Sequence, residues 1–328
     1  MNGVHHGGDL SFANAKFGNP VGGWIDLSTG INPWPWVPPN DTRELMYRLP
    51  DREMIRDLCT AAADVYGVGK TADIVPSSGS QALIQWLPRL VDPGRVLVVS
   101  PTYGEHAAAW RSAGHHVEES HVIGNFTDYN VVVLTSPNNP DGRIFPQSTF
   151  DELSESLFGR GGFLVVDEAF ADLDPTPSAV SSISKGIVAL RSLGKFFGLP
   201  GLRLGFALTD SLNARKIENV LGPWAVSTVA AHIGSNALRD LVWQAETRKR
   251  LAIASKRMDI ILTGAGFEIV GGTNLFRLAR SSDAPFIYER LGRGGIYARF
   301  FPENPEWLRF GIPGREEHWK RLEEALKF

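Results

Sequence analysis

The sequence has a single cysteine, no excess of either charge and no long apolar run, and each absence excludes a class of protein. Cys59 alone cannot form an intrachain disulfide, which excludes a disulfide-stabilised domain and favours a reducing compartment. The 33 Lys and Arg residues against 36 Asp and Glu leave a net charge of -3, so no basic surface is expected for nucleic acid or an anionic membrane. Because no apolar run is long enough to cross a bilayer, we expect a cytoplasmic protein that acts on a small molecule.

The chain of 328 residues is long enough for one large domain and one smaller domain. Between about residue 73 and residue 208, short apolar runs alternate with stretches of helical spacing. This alternation predicts an α/β fold with a mainly parallel central sheet and helices on both faces. The clearest strands are predicted at Arg95–Ser100, Asn130–Ser136, Phe163–Asp167 and Gly186–Leu193, and the clearest helices at Gln81–Leu90 and Phe150–Phe158.

Changes in composition predict three regions. Residues 1–40 are dense in Gly, Pro and Trp and are predicted to form an N-terminal arm that packs with the small domain. Residues 41–223 would form the large domain and residues 224–328 a small α+β domain, with strands at Phe267–Val270, Thr273–Leu278, Tyr297–Phe300 and Trp307–Ile312. The arm carries Trp24, Trp34 and Trp36, which would expose a large apolar surface in a monomer, so we expect a homodimer.

Polar residues follow the predicted strands at the sheet edge where ligands of open α/β sheets bind. The run Ser77-Ser78-Gly79-Ser80-Gln81 could bind an anion or simply cap a helix. Tyr103 could contact a ligand or lie at a solvent-exposed edge of the site. Asn139 could direct its side-chain amide toward a ligand or belong to an ordinary turn. Asp167 could bind a metal, cap a helix or pair with a protonated ring nitrogen. No cluster with metal-ligand spacing accompanies it, so no metal is expected.

The stretch from Arg191 to Gly205 contains the strongest candidate for chemistry. Lys195 follows a predicted strand between apolar residues, where partial loss of solvation would make its amine available as a nucleophile. Arg203, eight residues later, could bind a phosphate, and Ser192 precedes the lysine. Singly, Lys195 could be a surface lysine and Arg203 an ion-pair partner. Their occurrence with the polar residues of the other strand ends, in one chain order, favours a common active site.

In this order the residues resemble those of fold-type-I pyridoxal-phosphate enzymes, in the class II aminotransferase branch that includes histidinol-phosphate aminotransferases and threonine-phosphate decarboxylases. The resemblance covers nearly the whole chain and implies the aspartate-aminotransferase fold with pyridoxal 5'-phosphate as cofactor. By this resemblance Lys195 attaches the cofactor covalently, Asp167 pairs with its ring nitrogen, Asn139 binds its phenolic oxygen and Tyr103 stacks on its ring. The residues implied to hold the cofactor phosphate are Gly79, Ser80, Gln81, Ser192 and Arg203.

Further segments resemble the decarboxylases of this branch. The arm around His6 and the loop that contains Gly30 and Asn32 are similar to their substrate-binding segments, and Phe170 stands where the aminotransferases usually have tyrosine. Arg309 lies in a segment that resembles the one whose arginine binds the substrate carboxylate. Arg299, on the preceding strand, is a further substrate candidate or a solvated arginine. Asn139 is also carried over as a substrate residue.

The resemblance implies decarboxylation of L-threonine O-3-phosphate to (R)-1-amino-2-propanol O-2-phosphate in cobalamin biosynthesis. Two alternatives stay open: an aminotransferase of the histidinol-phosphate type, and a non-catalytic protein of the same fold that binds the cofactor or a partner. The chain also departs from its relatives. Gly194 replaces a phosphate-binding serine of many relatives, and Leu49 replaces a tyrosine that reaches the neighbouring subunit's cofactor, so two phosphate contacts of those relatives lack their usual residue here.

Overall fold

The computed structural model describes residues 6–39, 42–69, 72–175 and 178–327, apart from the side chains of residues 184 and 185. The first five residues of the predicted arm therefore lie outside the described residues. The chain divides into two compact units. We call Pro35–Asn139 with Arg143–Gln244 the central unit, and Met1–Trp34, Pro140–Gly142 and Ala245–Phe328 the terminal unit.

The described residues form α-helices and strands along the whole chain. The helices are α1 (Leu10–Phe17), α2 (Arg52–Tyr66), α3 (Ser80–Trp86), α4 (Glu105–Ser112), α5 (Gln147–Phe158), α6 (Ser211–Leu221), α7 (Thr228–Arg239), α8 (Leu241–Gly264), α9 (Ala284–Arg293) and α10 (Glu316–Leu326). The strands are β1 (Ile25–Leu27), β2 (Asp73–Ser77), β3 (Arg95–Val99), β4 (His116–Ser120), β5 (Val131–Thr135), β6 (Phe163–Asp167), β7 (Ile187–Ser192), β8 (Gly205–Thr209), β9 (Glu268–Thr273), β10 (Phe276–Arg280), β11 (Ile296–Phe300) and β12 (Trp307–Gly311).

The central unit is built on a sheet whose described strands run in the order β2-β8-β7-β6-β5-β3-β4. Strands β4, β3, β5, β6 and β7 are parallel, and β8 is antiparallel to both β7 and β2. Strands β5, β6 and β7 are buried along their entire length, as expected for strands covered on both faces. One face packs Val98, Val133 and Val165 against Leu83 of α3 and Trp110 of α4.

This architecture confirms the predicted mainly parallel α/β fold. The parallel strands also determine where chemistry can occur, because their carboxyl ends meet at one edge of the sheet. Strand β2 runs in the same direction as β7, since both are antiparallel to β8. The loops after β2, β3, β5, β6 and β7 therefore leave the same edge.

The terminal unit contains a mixed sheet with the strand order β1-β11-β12-β10-β9 among the described residues. Strand β1 pairs in parallel with β11, and the other pairs are antiparallel. Its core joins residues of α8, α9 and α10 to the sheet, with Met258, Leu291 and Leu322 fully buried.

Two local predictions differ from the structure. The arm, which lacks visible periodicity, contains helix α1 and strand β1. The segment predicted as a strand at Thr273–Leu278 contains the turn between β9 and β10, where Thr273 pairs with Phe276 and the Thr273 hydroxyl accepts the amide of Leu275. No helix of the described residues is long and apolar enough to span a bilayer.

The tryptophans of the arm are not the exposed surface that we expected. Trp36 is buried and donates its indole N–H to Asp240 within the central unit. Trp24 packs on the core of the terminal unit and donates to Asn14, and the Trp34 ring lies 3.7 Å from the Arg250 guanidinium carbon. Trp36 is thus covered, and Trp24 and Trp34 are half-buried within their own unit, so these rings do not form the large exposed surface on which the dimer argument rested, and the homodimer stays a prediction.

Candidate active site

Three strands of the central unit bring the predicted phosphate residues together. Gly205, the first residue of β8, pairs with Ser77 on one side and with Ser192 on the other. The Gly79 loop after β2 and Ser192 at the end of β7 therefore flank the same glycine. A β-carbon at Gly205 would overlap the backbone nitrogen of Ser80, so only glycine allows this approach.

Arg203 lies against the glycine loop. A β-carbon added at Gly79 would stand 2.8 Å from Nη2 of Arg203, and Gly79 has a φ of +81° that favours glycine. The guanidinium, the Ser192 hydroxyl and the start of helix α3 at Ser80 form a donor set that suits a phosphate group. Gly194 donates its N–H to the Ser192 oxygen at 3.3 Å. A β-carbon there would lie 3.3 Å from Cα of Pro200, so the serine of the relatives would be crowded.

Asp167 ends the buried strand β6 and has a partner that the sequence did not reveal. Its Oδ2 lies 3.0 Å from Nε2 of His106, and its Oδ1 accepts the amide of Ala169 at 3.0 Å. Both side chains of the pair are buried. Each carboxylate oxygen can accept a second donor, so Asp167 can also bind a protonated ring nitrogen. His106 lies in the first turn of α4, three residues after Tyr103.

Tyr103 is held as a neutral phenol. Burial, with smaller contributions from the carboxylates of Glu105 and Asp167, raises its pKa to about 12. Its hydroxyl donates to Oε1 of Gln81 at 3.2 Å, and the Gln81 amide nitrogen donates to Glu105 at 3.1 Å. The ring meets the His106 ring edge to face, with 6.1 Å between centroids. Tyr103 and Gln81 thus form one hydrogen-bonded group beside the buried His106–Asp167 pair.

The loops after β3 and β5 are joined by a hydrogen-bonded bridge. The Thr102 hydroxyl lies 2.8 Å from both the Thr135 hydroxyl and Oδ1 of Asn138, and the Asn138 amide donates to the carbonyl of Pro101 at 2.8 Å. These bonds fix the loop immediately before Asn139, which is half-buried. The structure therefore places Asn139 at the same sheet edge as Asp167 and Tyr103.

Lys195 lies just beyond β7 and is half-buried. Its Nζ lies 5.6 Å from the centroid of the Phe170 ring, which follows β6. An ammonium at this distance from an aromatic face is within the range of a cation–π interaction. The lysine thus belongs to the edge that contains Asp167, and its aromatic neighbour has no hydroxyl.

The central unit offers the groups that pyridoxal phosphate needs. Gly79 and Gly205 let the glycine loop pack closely against Arg203 and strand β8, which places backbone amides beside a guanidinium and a hydroxyl suited to phosphate. A buried carboxylate suits the ring nitrogen, and a half-buried amine suits covalent attachment. These residues fit the cofactor.

The terminal unit contains a separate pair of arginines. Arg299 on β11 and Arg309 on β12 are direct cross-strand partners. Burial and the charge of Arg299 lower the pKa of Arg309 to about 9, and burial also lowers the pKa of Arg299. Nη2 of Arg309 donates to the carbonyl of Ser28 at 2.6 Å. Two desolvated cations on one face make this a candidate anion site.

The remaining substrate candidates also lie in the terminal unit. Gly30 and Asn32 are buried, and Oδ1 of Asn32 accepts the amide of Trp34 at 2.9 Å. His6 is exposed at the start of the described residues. The loop with Gly30 and Asn32 continues from Ser28, whose carbonyl accepts the Nη2 hydrogen bond of Arg309.

Residues 41–326 match the family model of class I and II aminotransferases. The chain belongs to this family. Two curated relatives of this aminotransferase-family chain are threonine-phosphate decarboxylases. The chain is 41% identical to the one from Pseudomonas aeruginosa, with 98% of this chain and 97% of the relative covered. It is 39% identical to the one from a Sinorhizobium species, again with 98% and 97% covered.

A solved structure of the same fold is the histidinol-phosphate aminotransferase from Sinorhizobium meliloti in complex with pyridoxal 5'-phosphate. It superposes with a TM-score of 0.83 at 18% identity and covers 99% of this chain and 94% of that chain. Together with the family match, this likeness confirms the predicted aspartate-aminotransferase fold. Membership of the aminotransferase family and the decarboxylase relatives also confirm the expectation of a pyridoxal-phosphate enzyme.

Proposed function

We propose that this protein decarboxylates L-threonine O-3-phosphate to (R)-1-amino-2-propanol O-2-phosphate, a reaction of cobalamin biosynthesis, with pyridoxal 5'-phosphate as cofactor. The observation that carries the proposal is the identity of 41% and 39% to two threonine-phosphate decarboxylases over 98% of the chain. Two features of the residues support it. The ring beside Lys195 is Phe170 rather than a tyrosine, and two arginines of the terminal unit are cross-strand partners, which suits the binding of an anion.

The proposed roles in cofactor binding are those that the resemblance implies, and the placement of these residues at one sheet edge of the central unit supports them. Lys195 attaches the cofactor through Nζ, and Asp167, held by His106, binds the ring nitrogen. Tyr103 covers the ring, and Asn139 binds its phenolic oxygen. The phosphate would be bound by Gly79, Ser80, Gln81, Ser192 and Arg203. Bound in this way, pyridoxal phosphate supplies an electron sink for the bond that breaks at the substrate α-carbon.

The proposed roles in substrate binding fall on the terminal unit and on Asn139. Arg309 binds the substrate carboxylate and Arg299 adds a second positive charge. Gly30, Asn32 and His6 contribute to holding the phosphate end. A substrate held at both ends presents one α-carbon bond for cleavage, and that bond must be the one to the carboxylate. After carbon dioxide leaves, Nζ of Lys195 or a water delivers a proton to the α-carbon.

Product analysis tests this function. The holoenzyme incubated with L-threonine O-3-phosphate should release one carbon dioxide for each aminopropanol phosphate formed, with little pyridoxamine phosphate accumulating. Stoichiometric pyridoxamine phosphate with histidinol phosphate, and no carbon dioxide from threonine phosphate, would assign the protein to the aminotransferases instead. Absence of turnover with either substrate, in a protein that binds the cofactor, would favour the non-catalytic alternative.

We also propose that the protein is a cytoplasmic homodimer. Large apolar side chains of the central unit are exposed: Val37 (79%), Met46 (67%), Tyr47 (75%), Leu49 (62%) and Trp224 (61%). A second copy of the chain would remove this surface from water. Sedimentation at micromolar concentration tests the proposal, and a monomer would contradict it. The division predicted from the sequence, with an arm at 1–40, a large domain at 41–223 and a small domain at 224–328, stays a proposal, and the two compact units have their main boundaries at Pro35 and Ala245 instead.

A further inference from the structure

Ser28 joins three segments of the terminal unit by hydrogen bonds. It is fully buried, and its hydroxyl donates to Oδ1 of Asp26 at 2.6 Å and accepts the amide of Gly8 at 2.7 Å. Its own amide also donates to Oδ1 of Asp26 at 2.8 Å. Its carbonyl accepts Nη2 of Arg309 at 2.6 Å. One residue therefore contacts both the segment with Gly7 and Gly8, which is called the arm from here on, and Arg309 of the candidate anion site.

The two glycines after His6 are required by this contact. A β-carbon at Gly7 would overlap the Ser28 carbonyl oxygen, the same oxygen that accepts Arg309. Gly8 has a φ of +85°, which side chains other than glycine rarely adopt, and its β-carbon would lie 3.2 Å from Cγ2 of Thr29. The arm thus lies directly on Ser28, and His6 is the residue before this fixed point.

The same contact orients Arg309. The guanidinium is planar, and its donors leave in fixed directions, so the bond from Nη2 to the Ser28 carbonyl sets the direction of the others. The Phe276 ring, with its centroid 5.1 Å from the guanidinium carbon, packs beside the group. A shift of Ser28 would therefore turn Arg309 and release the arm together.

We propose that Ser28 is a positioning residue that couples docking of the arm to the orientation of Arg309. The inference rests on the proposed function for the identity of the substrate, because it assigns the phosphate end to the arm and the carboxylate to Arg309. Its consequence is that the two ends of the substrate are not bound independently. Loss of the arm, or of the Ser28 hydroxyl, should weaken the same interaction.

The test is a double-mutant cycle between Ser28→Ala and deletion of Met1–Asp9. Ser28→Ala should raise KM for L-threonine O-3-phosphate about tenfold, the effect of one lost hydrogen bond to a charged or well-ordered group. The deletion, which also removes His6, should raise KM at least as much. The turnover number should change by less than about threefold in each variant. Because Ser28→Ala acts through the deleted segment, adding it to the deletion should raise KM by less than about threefold more.

Hydrogen exchange of the arm gives a second readout that needs no substrate. In Ser28→Ala the amide of Gly8 loses its acceptor, so the peptide that contains it should exchange at least tenfold faster. The matched control is Ser255→Ala, which removes another buried hydroxyl of the terminal unit, bonded to Ala252 and Asn274. This control should leave arm exchange and KM unchanged, whatever its effect on stability.

The outcomes separate this inference from the proposed function. Absence of carbon dioxide from the wild type would overturn the function, whereas arm exchange would still test the docking contact. Normal wild-type turnover with unchanged KM and arm exchange in Ser28→Ala would overturn the inference alone. A further tenfold rise of KM when Ser28→Ala is added to the deletion would overturn the coupling. If Ser28→Ala does not fold, Gly7→Ala tests the contact from the arm, and unchanged exchange and KM there would overturn it.

Discussion

Arg299 and Arg309 face each other across the antiparallel pair β11–β12, so two guanidinium groups leave the same face of one sheet. Like charges at directly opposed positions destabilise a sheet, and here burial adds a desolvation cost that lowers the pKa of both groups. An arrangement that costs stability in the free protein and gains it when an anion binds is typical of a binding site. The pair therefore supports a direct prediction about stability.

Arg299→Gln should make the protein more stable in buffer without phosphate, by roughly 0.5 kcal/mol in the free energy of unfolding, because it removes a repulsion between opposed charges. Inorganic phosphate should stabilise the wild type more than the variant. Urea denaturation with and without phosphate measures both effects. The matched control is Arg280→Gln, since Arg280 lies on the neighbouring strand β10 opposite Glu268 and pairs with it. The control should not gain stability, and a destabilised Arg299→Gln with an unchanged phosphate effect would contradict the prediction.

Lys195→Ala should lose the visible absorbance of the bound cofactor and reduce turnover by several orders of magnitude, because the amine is both the covalent attachment and a proton carrier. Absorbance spectra and carbon dioxide release measure the two effects. Lys216→Ala, on the exposed face of α6, is the control and should behave as the wild type. Near-normal turnover in Lys195→Ala would end the assignment of this lysine.

Asp167→Ala should weaken cofactor retention and reduce turnover, because the ring nitrogen would lose the negative charge of the carboxylate that keeps it protonated.

His106→Gln should have a smaller effect of the same kind, since Asp167 keeps the amide of Ala169 as a hydrogen-bond partner. Cofactor retention on dialysis measures both. His115→Gln is the matched control, because His115 is also buried and bonds Gly94 and Pro88 through its two ring nitrogens. Equal cofactor loss in the two histidine variants would refute a specific role for His106.

The residues at the sheet edge could be predicted from the sequence because each of them lies only a few positions after the strand that leads to it. Each apolar run, such as Phe163–Asp167, is followed within a few residues by the polar group that it delivers to the site. His106 escaped notice because its partner Asp167 is 61 residues away, and the helical spacing of α4 marks it only as a buried position. The signal that could have identified His106 is a histidine at a buried position in the first turn of the helix that follows β3.

The terminal unit was less predictable for a related reason. The importance of Arg299 follows from its register with Arg309, and register depends on turns and pairings that a single sequence does not reveal. Strand β1 has only three residues, which is too short for an alternating pattern to be recognised. The role of the arm glycines likewise depends on the position of Ser28, twenty residues beyond Gly8.

Tyr103→Phe should leave the pH dependence of turnover unchanged between pH 6 and pH 10, because burial raises the pKa of the phenol to about 12 and it stays protonated throughout that range. The ring that covers the cofactor remains, while the hydrogen bond to Gln81 is lost, so cofactor affinity should fall by about fivefold.

The pH dependence of stability should differ between the wild type and Tyr103→Phe only at alkaline pH. An acid whose pKa is higher in the folded state than in the unfolded state stabilises the fold below its unfolded pKa, near 10, and loses that contribution as the pH rises through about 12. Urea midpoints should therefore fall less between pH 9 and pH 11 in Tyr103→Phe than in the wild type. An altered pH profile of turnover below pH 10 would show that the phenol ionises in the working enzyme.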